Sequence, residues 1–243
     1  MRHFSLLLLL SALLAAPLAG HAQMSGSDSL RQRLNFLFAP LNKSQVPTAY
    51  LEEYGVRLLP LHNFNGSLAD SNRTDLATLL YLRAALASAR VSGTDTLPTV
   101  PALNARLHAA TASGGGAIPL TMQYMPYASI RPDALQLNLL TVQNNQVYDV
   151  PGRSQSPYQT NVLFAAAPAR PDAPTTSVSF VFRRNLFLSG DGRLPSNLAL
   201  DFGDGNGYHT ARWGRPLSTT YASGGTKRIK VRLQFINSTP DEE

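Results

Sequence analysis

The sequence predicts an α+β chain in which a helical or mixed N-terminal region gives way to β-rich text. Three observations carry that expectation. Apolar residues recur at helical spacing between Asp75 and Arg90. Ser113-Gly-Gly-Gly116 then breaks the pattern. From Ile118 onward the period shifts towards two, and the chain closes on a strictly alternating stretch at residues 228–235.

Met1-Arg2-His3 is a short basic start, Phe4 to Leu14 is an almost unbroken apolar run, and Gly20-His21-Ala22 offers small residues at the two positions a signal peptidase reads. Residues 1–22 are therefore predicted to be a signal peptide, and the mature chain a secreted one: extracellular, cell-surface or periplasmic. The apolar run falls short of the roughly 20 residues of a permanent span, so no transmembrane anchor is expected. Cysteine is absent from all 243 residues, which removes a lipoprotein anchor, disulfides and thiolate metal sites together. The whole chain carries +6, and loss of the leader takes only Arg2, leaving +5 on the mature chain. An excess of that sign favours anionic partners, and export makes acidic polysaccharide or a cell-surface protein a better expectation than nucleic acid.

Within residues 23–115, Leu30 to Phe38 is an apolar-faced run stopped before Pro40, and Pro47 to Tyr54 reads as a turn or two ended by Gly55. The clearest helix follows the capping cluster Asp70-Ser-Asn72, with Leu76, Leu79, Leu80, Leu86 and Ala87 on one face. A further helix is predicted from Pro101 to Ala112. Residues 116–174 read as a β-rich segment and a linker: strands at Ile118 to Tyr127 and Leu135 to Val142, a hairpin turn at Asn144-Asn145, and the Pro-rich stretch Ala167 to Pro174. In residues 175–243, Val178, Phe180 and Phe182 alternate with smaller neighbours. Ile229, Val231, Leu233 and Phe235 then alternate with Arg228, Lys230, Arg232 and Gln234, so one strand face is core and the other basic.

Two aspartates and three glycines crowd Leu200-Asp-Phe-Gly-Asp-Gly-Asn-Gly-Tyr208. Neither register of an EF-hand fits, because the third place from Asp201 is Gly203 and the fifth and sixth places from Asp204 are Tyr208 and His209. The kinase-like triplet Asp-Phe-Gly lacks every accompanying motif, and no helix follows for a dinucleotide fingerprint. A tight turn at a strand end fits: Leu200 and Phe202 face the core, Gly203 and Gly205 accept positive φ, and Asp201 and Asp204 accept bonds from turn amides. Weak calcium binding is the alternative for the two carboxylates.

Asp201-Phe-Gly-Asp-Gly205, followed by Tyr221-Ala-Ser-Gly-Gly-Thr226 and the alternating strand, resembles the polycystic kidney disease (PKD) domain over roughly residues 175–237. Two positions depart from that pattern: Leu200 stands where the family has tryptophan, and Lys227 where it has an aromatic. The resemblance implies an immunoglobulin-like β-sandwich used as an extracellular spacer or contact surface, without catalysis. Residues 23–115 resemble parts of exported bacterial proteins, with no residue carrying a specific match.

No catalytic, metal or cofactor site is expected. Past the leader the histidines are His62, His108 and His209, none at metal-ligand spacing, and no nucleophile elbow occurs. Glu52 and Glu53 are adjacent, so they share no helix face and make a poor glycosidase pair. The candidate binding residues are Arg228, Lys230 and Arg232, about 7 Å apart along a strand, a spacing suited to an extended polyanion. Trp213 and Tyr208 follow the turn as either sugar platforms or core. The expected role is exported binding or scaffolding. The alternative is an accessory region of a secreted hydrolase, shortened from a longer surface protein, which the linker-like tail Asn237 to Glu243 suggests.

Overall fold

Helix α1 (Gly26–Leu37) forms where the apolar-faced run was expected, and it buries Leu34 and Leu37 together with Phe38 just beyond it. The chain leaves it through Phe38, whose amide still reaches the Leu34 carbonyl at 3.0 Å, before Pro40 forbids another turn. The computed structural model describes residues 26–236 apart from 57, 58, 95 and 114. The predicted signal peptide, residues 1–22, lies outside the described residues.

Helix α2 (Leu76–Ser88) buries Leu79, Leu82 and Leu86, while Ala87, expected on that face, is exposed. Its cap is Asp75, whose carboxylate accepts the Thr78 amide at 2.7 Å. The Asp70-Ser-Asn72 cluster forms a separate 3-10 turn ahead of the helix and does not cap it. Helix α3 (Val100–Ala112) starts on Thr99, which accepts from the Ala102 amide, and Pro101 sits in its first turn. Leu103, Leu107 and Ala110 form its buried stripe.

Strand β1 (Ile118–Ile130) runs three residues past its predicted end and is buried along almost its whole length on both faces. Strands β2 (Leu140–Gln143) and β3 (Gln146–Asp149) make an antiparallel hairpin. Asn144 and Asn145 connect them at φ 50° and 59°, the double left-handed conformation of a type I′ turn. The strand expected from Leu135 to Val142 begins only at Leu140. Before it, the Leu137 amide reaches Asp133, Asn138 reaches Leu135 and Leu139 reaches back to Ala134. With Asn138 at φ 52°, this is a helical turn closed in the Schellman manner. It hides Ala134 and Leu139 and leaves Leu137 exposed, which imitates a strand's alternation in the sequence.

Strand β4 (Tyr158–Pro168) absorbs Ala167 and Pro168, the residues read as the start of the linker. Strands β5 (Ser177–Ser189), β6 (Asn197–Asp201), β7 (Tyr208–Ala211), β8 (Leu217–Thr220) and β9 (Lys230–Gln234) complete the order. A four-stranded sheet runs β4-β1-β5-β8, a second is the β2-β3 hairpin, and a third runs β7-β6-β9. In the first, β1 and β5 are parallel with an irregularity between Leu120 and Met122, and β5 and β8 are antiparallel.

The chain is thus α+β, and its described residues divide into two compact units interleaved in sequence: those within 26–56, 85–94 and 127–161 in one, and those within 59–84, 96–126 and 162–236 in the other. The compositional break at Ser113 to Gly116 falls inside the second unit, between α3 and β1. The first unit has a core of Leu34, Leu37, Phe38, Leu51, Ala128, Leu139, Val147 and their neighbours. In the second, Ile118, Leu120 and Met122 of β1 and Phe180, Phe182 and Phe187 of β5 share a cluster with Leu198 and Leu200 of β6 and Ala211 of β7. Apolar faces of the first and third sheets therefore contribute to one core. Among the described residues, no helix is long and apolar enough to cross a membrane.

Candidate functional site

The third sheet carries the candidate residues, and its register explains their arrangement. Leu198 pairs with Leu233 and Leu200 with Val231, so these side chains turn to the core. On the opposite face Asp201 pairs with Lys230 and Ala199 with Arg232. Asp201 also pairs with Tyr208 on β7. Strand β9 covers only Lys230–Gln234 of the predicted 228–235 stretch, but the alternation in burial runs through all of it: Ile229, Val231, Leu233 and Phe235 are half-buried, and Arg228, Lys230, Arg232 and Gln234 are exposed.

At the end of β6 the chain reverses through Phe202, Gly203, Asp204 and Gly205. Asp201 is 6% exposed and both its oxygens are used: Oδ1 accepts the Gly203 amide at 2.8 Å, and Oδ2 accepts Lys230 Nζ at 2.9 Å. Burial pushes its pKa up, but the Gly203 amide and the Lys230 ammonium outweigh it and hold the carboxyl below the usual range. Asp204 accepts the Asn206 amide at 3.0 Å and the Thr219 hydroxyl at 2.8 Å. The Asn206 amide is the first cause of its lowered pKa, and the Thr219 hydroxyl the second. Phe202 is buried, and its carbonyl accepts the Tyr221 hydroxyl at 2.8 Å. Gly203 has φ 69°, and a Cβ there would lie 2.2 Å from the Arg228 carbonyl oxygen. Every polar group of the turn that the sequence singled out has a protein partner, and among the described residues no group of His, Asp and Glu is arranged to hold a metal.

The cation row is more committed than its spacing suggests. Lys230 is tied to Asp201, which raises its own pKa. Arg232 lies with its guanidinium 4.0 Å from the centre of the Tyr208 ring. It reaches that ring across Ala199, whose single methyl leaves the diagonal path over β6 open. Arg228 is 3.6 Å from Asp70 in a pair whose side chains are 67% and 81% exposed, an arrangement worth little in water. Arg228 and Arg232 thus keep most of their charge facing solvent, whereas Lys230 is part of the turn. The partners Asp70, Ala199 and Tyr208 were not found by sequence reading; only the i, i+2 pattern of β9 hinted at a shared face.

The remaining candidates fall elsewhere. His62 and His108 are exposed, the first on a 3-10 turn and the second on α3. His209 is exposed beside the Phe202 ring, 5.3 Å away. Glu53 caps backbone, both oxygens lying 3.1 Å from the Ile130 amide, and Glu52 is buried. Trp213 is half-buried against the second unit's core, 6.0 Å from the Phe187 ring, so it fills space where a sugar platform would stand clear. Comparison of the chain with protein-family models, curated proteins and solved structures gives no match.

Proposed function

We propose that the mature chain is an exported binding or scaffolding protein, whose second unit holds an immunoglobulin-like sandwich of the PKD type and contacts anionic extracellular polymers through β9. The shared core of the first and third sheets and the tethered Asp201 to Gly205 turn support the sandwich reading. The parallel β1–β5 pair is a departure from the antiparallel sheets of that fold. The observation that carries the binding role is the solvent-facing pair of Arg232 on β9 and Arg228 just before it, at a strand that has β6 as its only strand neighbour among the described residues. A strand at a sheet edge offers its whole length to an extended ligand, and arginine pairs with carboxylate or sulfate in two-pronged fashion.

The test is titration of residues 23–243 with polygalacturonate and with neutral dextran over a salt series, beside the double variant Arg228→Ser/Arg232→Ser. Lys230 is left in place because its loss would strand the Asp201 carboxylate. Polygalacturonate binding that weakens steeply with salt, and at least about tenfold in the double variant, supports the role. Absence of binding by either polymer at low salt sinks it, and the charged strand is then protection of an open sheet edge.

A further inference from the structure

A second basic site lies in the four-stranded sheet, on residues the β9 reading does not use. The loop after α3 and the start of β5 enclose an open cleft of about 480 Å³, within the range of small-ligand sites. Arg170 is its one charged lining residue. The residue is half-buried, and among the described residues its one hydrogen bond is Nη2 to the Gly116 carbonyl at 3.2 Å. Its Nε is buried without a partner, and among the described residues no carboxylate pairs with it, Asp172 two residues along included. A partly desolvated cation with no counter-charge is costly, and an anion arriving in the cleft would remove that cost.

The rest of the wall suits a hydroxylated ligand. Ser177 Oγ bonds Thr220 Oγ1 at 3.0 Å, and Ser179 Oγ bonds Ser218 Oγ at 2.7 Å. One hydrogen serves each such oxygen pair, so each pair keeps a second O–H to give away, together with unused lone pairs. Gly115 and Gly116, at φ 57° and 90°, place no side chain over the opening. Pro174 supplies an apolar surface beside them. Arg183 bears on the same loop from outside the cleft, its Nη2 3.5 Å from the Ser113 carbonyl at the negative end of α3. Its Nε, like that of Arg170, is buried without a partner, but only Arg170 lines the cleft.

We propose that this cleft binds the carboxylate of an acidic sugar, Arg170 taking the charged group and the Ser177 and Ser179 pairs taking ring hydroxyls. The inference does not rest on polymer binding at β9. The experiment follows the backbone amides of Gly115, Gly116, Ser177 and Ser179 by NMR in the chain of residues 23–243 during titration with glucuronate, glucose and sulfate. Saturable shifts with glucuronate, at a Kd on the order of 1 mM for a ligand of about thirteen heavy atoms, are expected, with glucose and sulfate each at least about tenfold weaker. Arg170→Gln abolishes the glucuronate shifts, and Arg228→Ser/Arg232→Ser leaves them unchanged. Equal response to glucose, equal response to sulfate, or an undiminished response in a folded Arg170→Gln protein each overturns the proposal.

Discussion

Two tight turns in this molecule use similar residues and are held in opposite ways. The Asn144-Asn145 turn closes a short hairpin of the first unit with two residues at left-handed φ, both exposed, and its stability is a matter of local conformational preference. The Asp201 to Gly205 turn of the second unit also uses left-handed residues, but distant chain holds it: Arg228, Lys230, Thr219 and Tyr221 all bear on it. Acidic, glycine-rich text can therefore mark a node of tertiary structure without marking chemistry.

Gly203→Ala presses that contrast hardest. Its Cβ would meet the Arg228 carbonyl in a conformation alanine avoids, so we expect a loss on the order of 3 kcal/mol or more, read as an earlier unfolding transition of Trp213 fluorescence. Gly205→Ala, where the added Cβ meets open space, should cost only about 1–2 kcal/mol from its backbone angle. Equal losses at the two glycines would break the claim that distant chain holds the turn.

Next in size is Asp201→Asn, with about 2 kcal/mol expected at pH 7 from loss of a charged acceptor. Because the folded carboxyl titrates below its ordinary value of 3.8, its contribution is complete above that value and lost as the pH falls through the folded pKa. The gap between wild type and variant should therefore begin to narrow only below about pH 4. A gap that does not narrow at all as the pH falls further would mean that shape, and not charge, sets the cost. Tyr221→Phe removes one buried hydrogen bond to the Phe202 carbonyl and should cost about 1 kcal/mol. At the small end, Asn145→Gly in the other turn should stay within about 0.5 kcal/mol of wild type by circular dichroism. A larger effect would show that the hairpin turn, too, has distant supports.

The same division separates what was legible in the sequence from what was not. Local signals carried far: the spacing of Leu79 and Leu86 located α2, Asn144-Asn145 located a hairpin, and alternation sorted the two faces of β9. Signals that need a partner did not. Leu135, Leu137 and Leu139 alternate like a strand, yet a left-handed Asn138 makes them a helical turn. The cations of β9 read as an evenly spaced row, but nothing in their spacing says that Lys230 belongs to Asp201 or that Arg232 lies on Tyr208. Arg170 stood inside text read as linker, and only the fold brings it to the serines of β5.

The interleaved chain path bears on the order in which this protein can mature. The second unit places Ile118 of β1 in one cluster with Val231 and Leu233, more than a hundred residues further along the chain, so long loops must close before they are rewarded, which makes for slow folding. Until Val231 and Leu233 have been synthesised and have met Leu200 and Leu198, β6 keeps an open edge lined with apolar side chains, a template for intermolecular pairing. Pairing of β9 with β6 therefore ends the interval in which that edge is open.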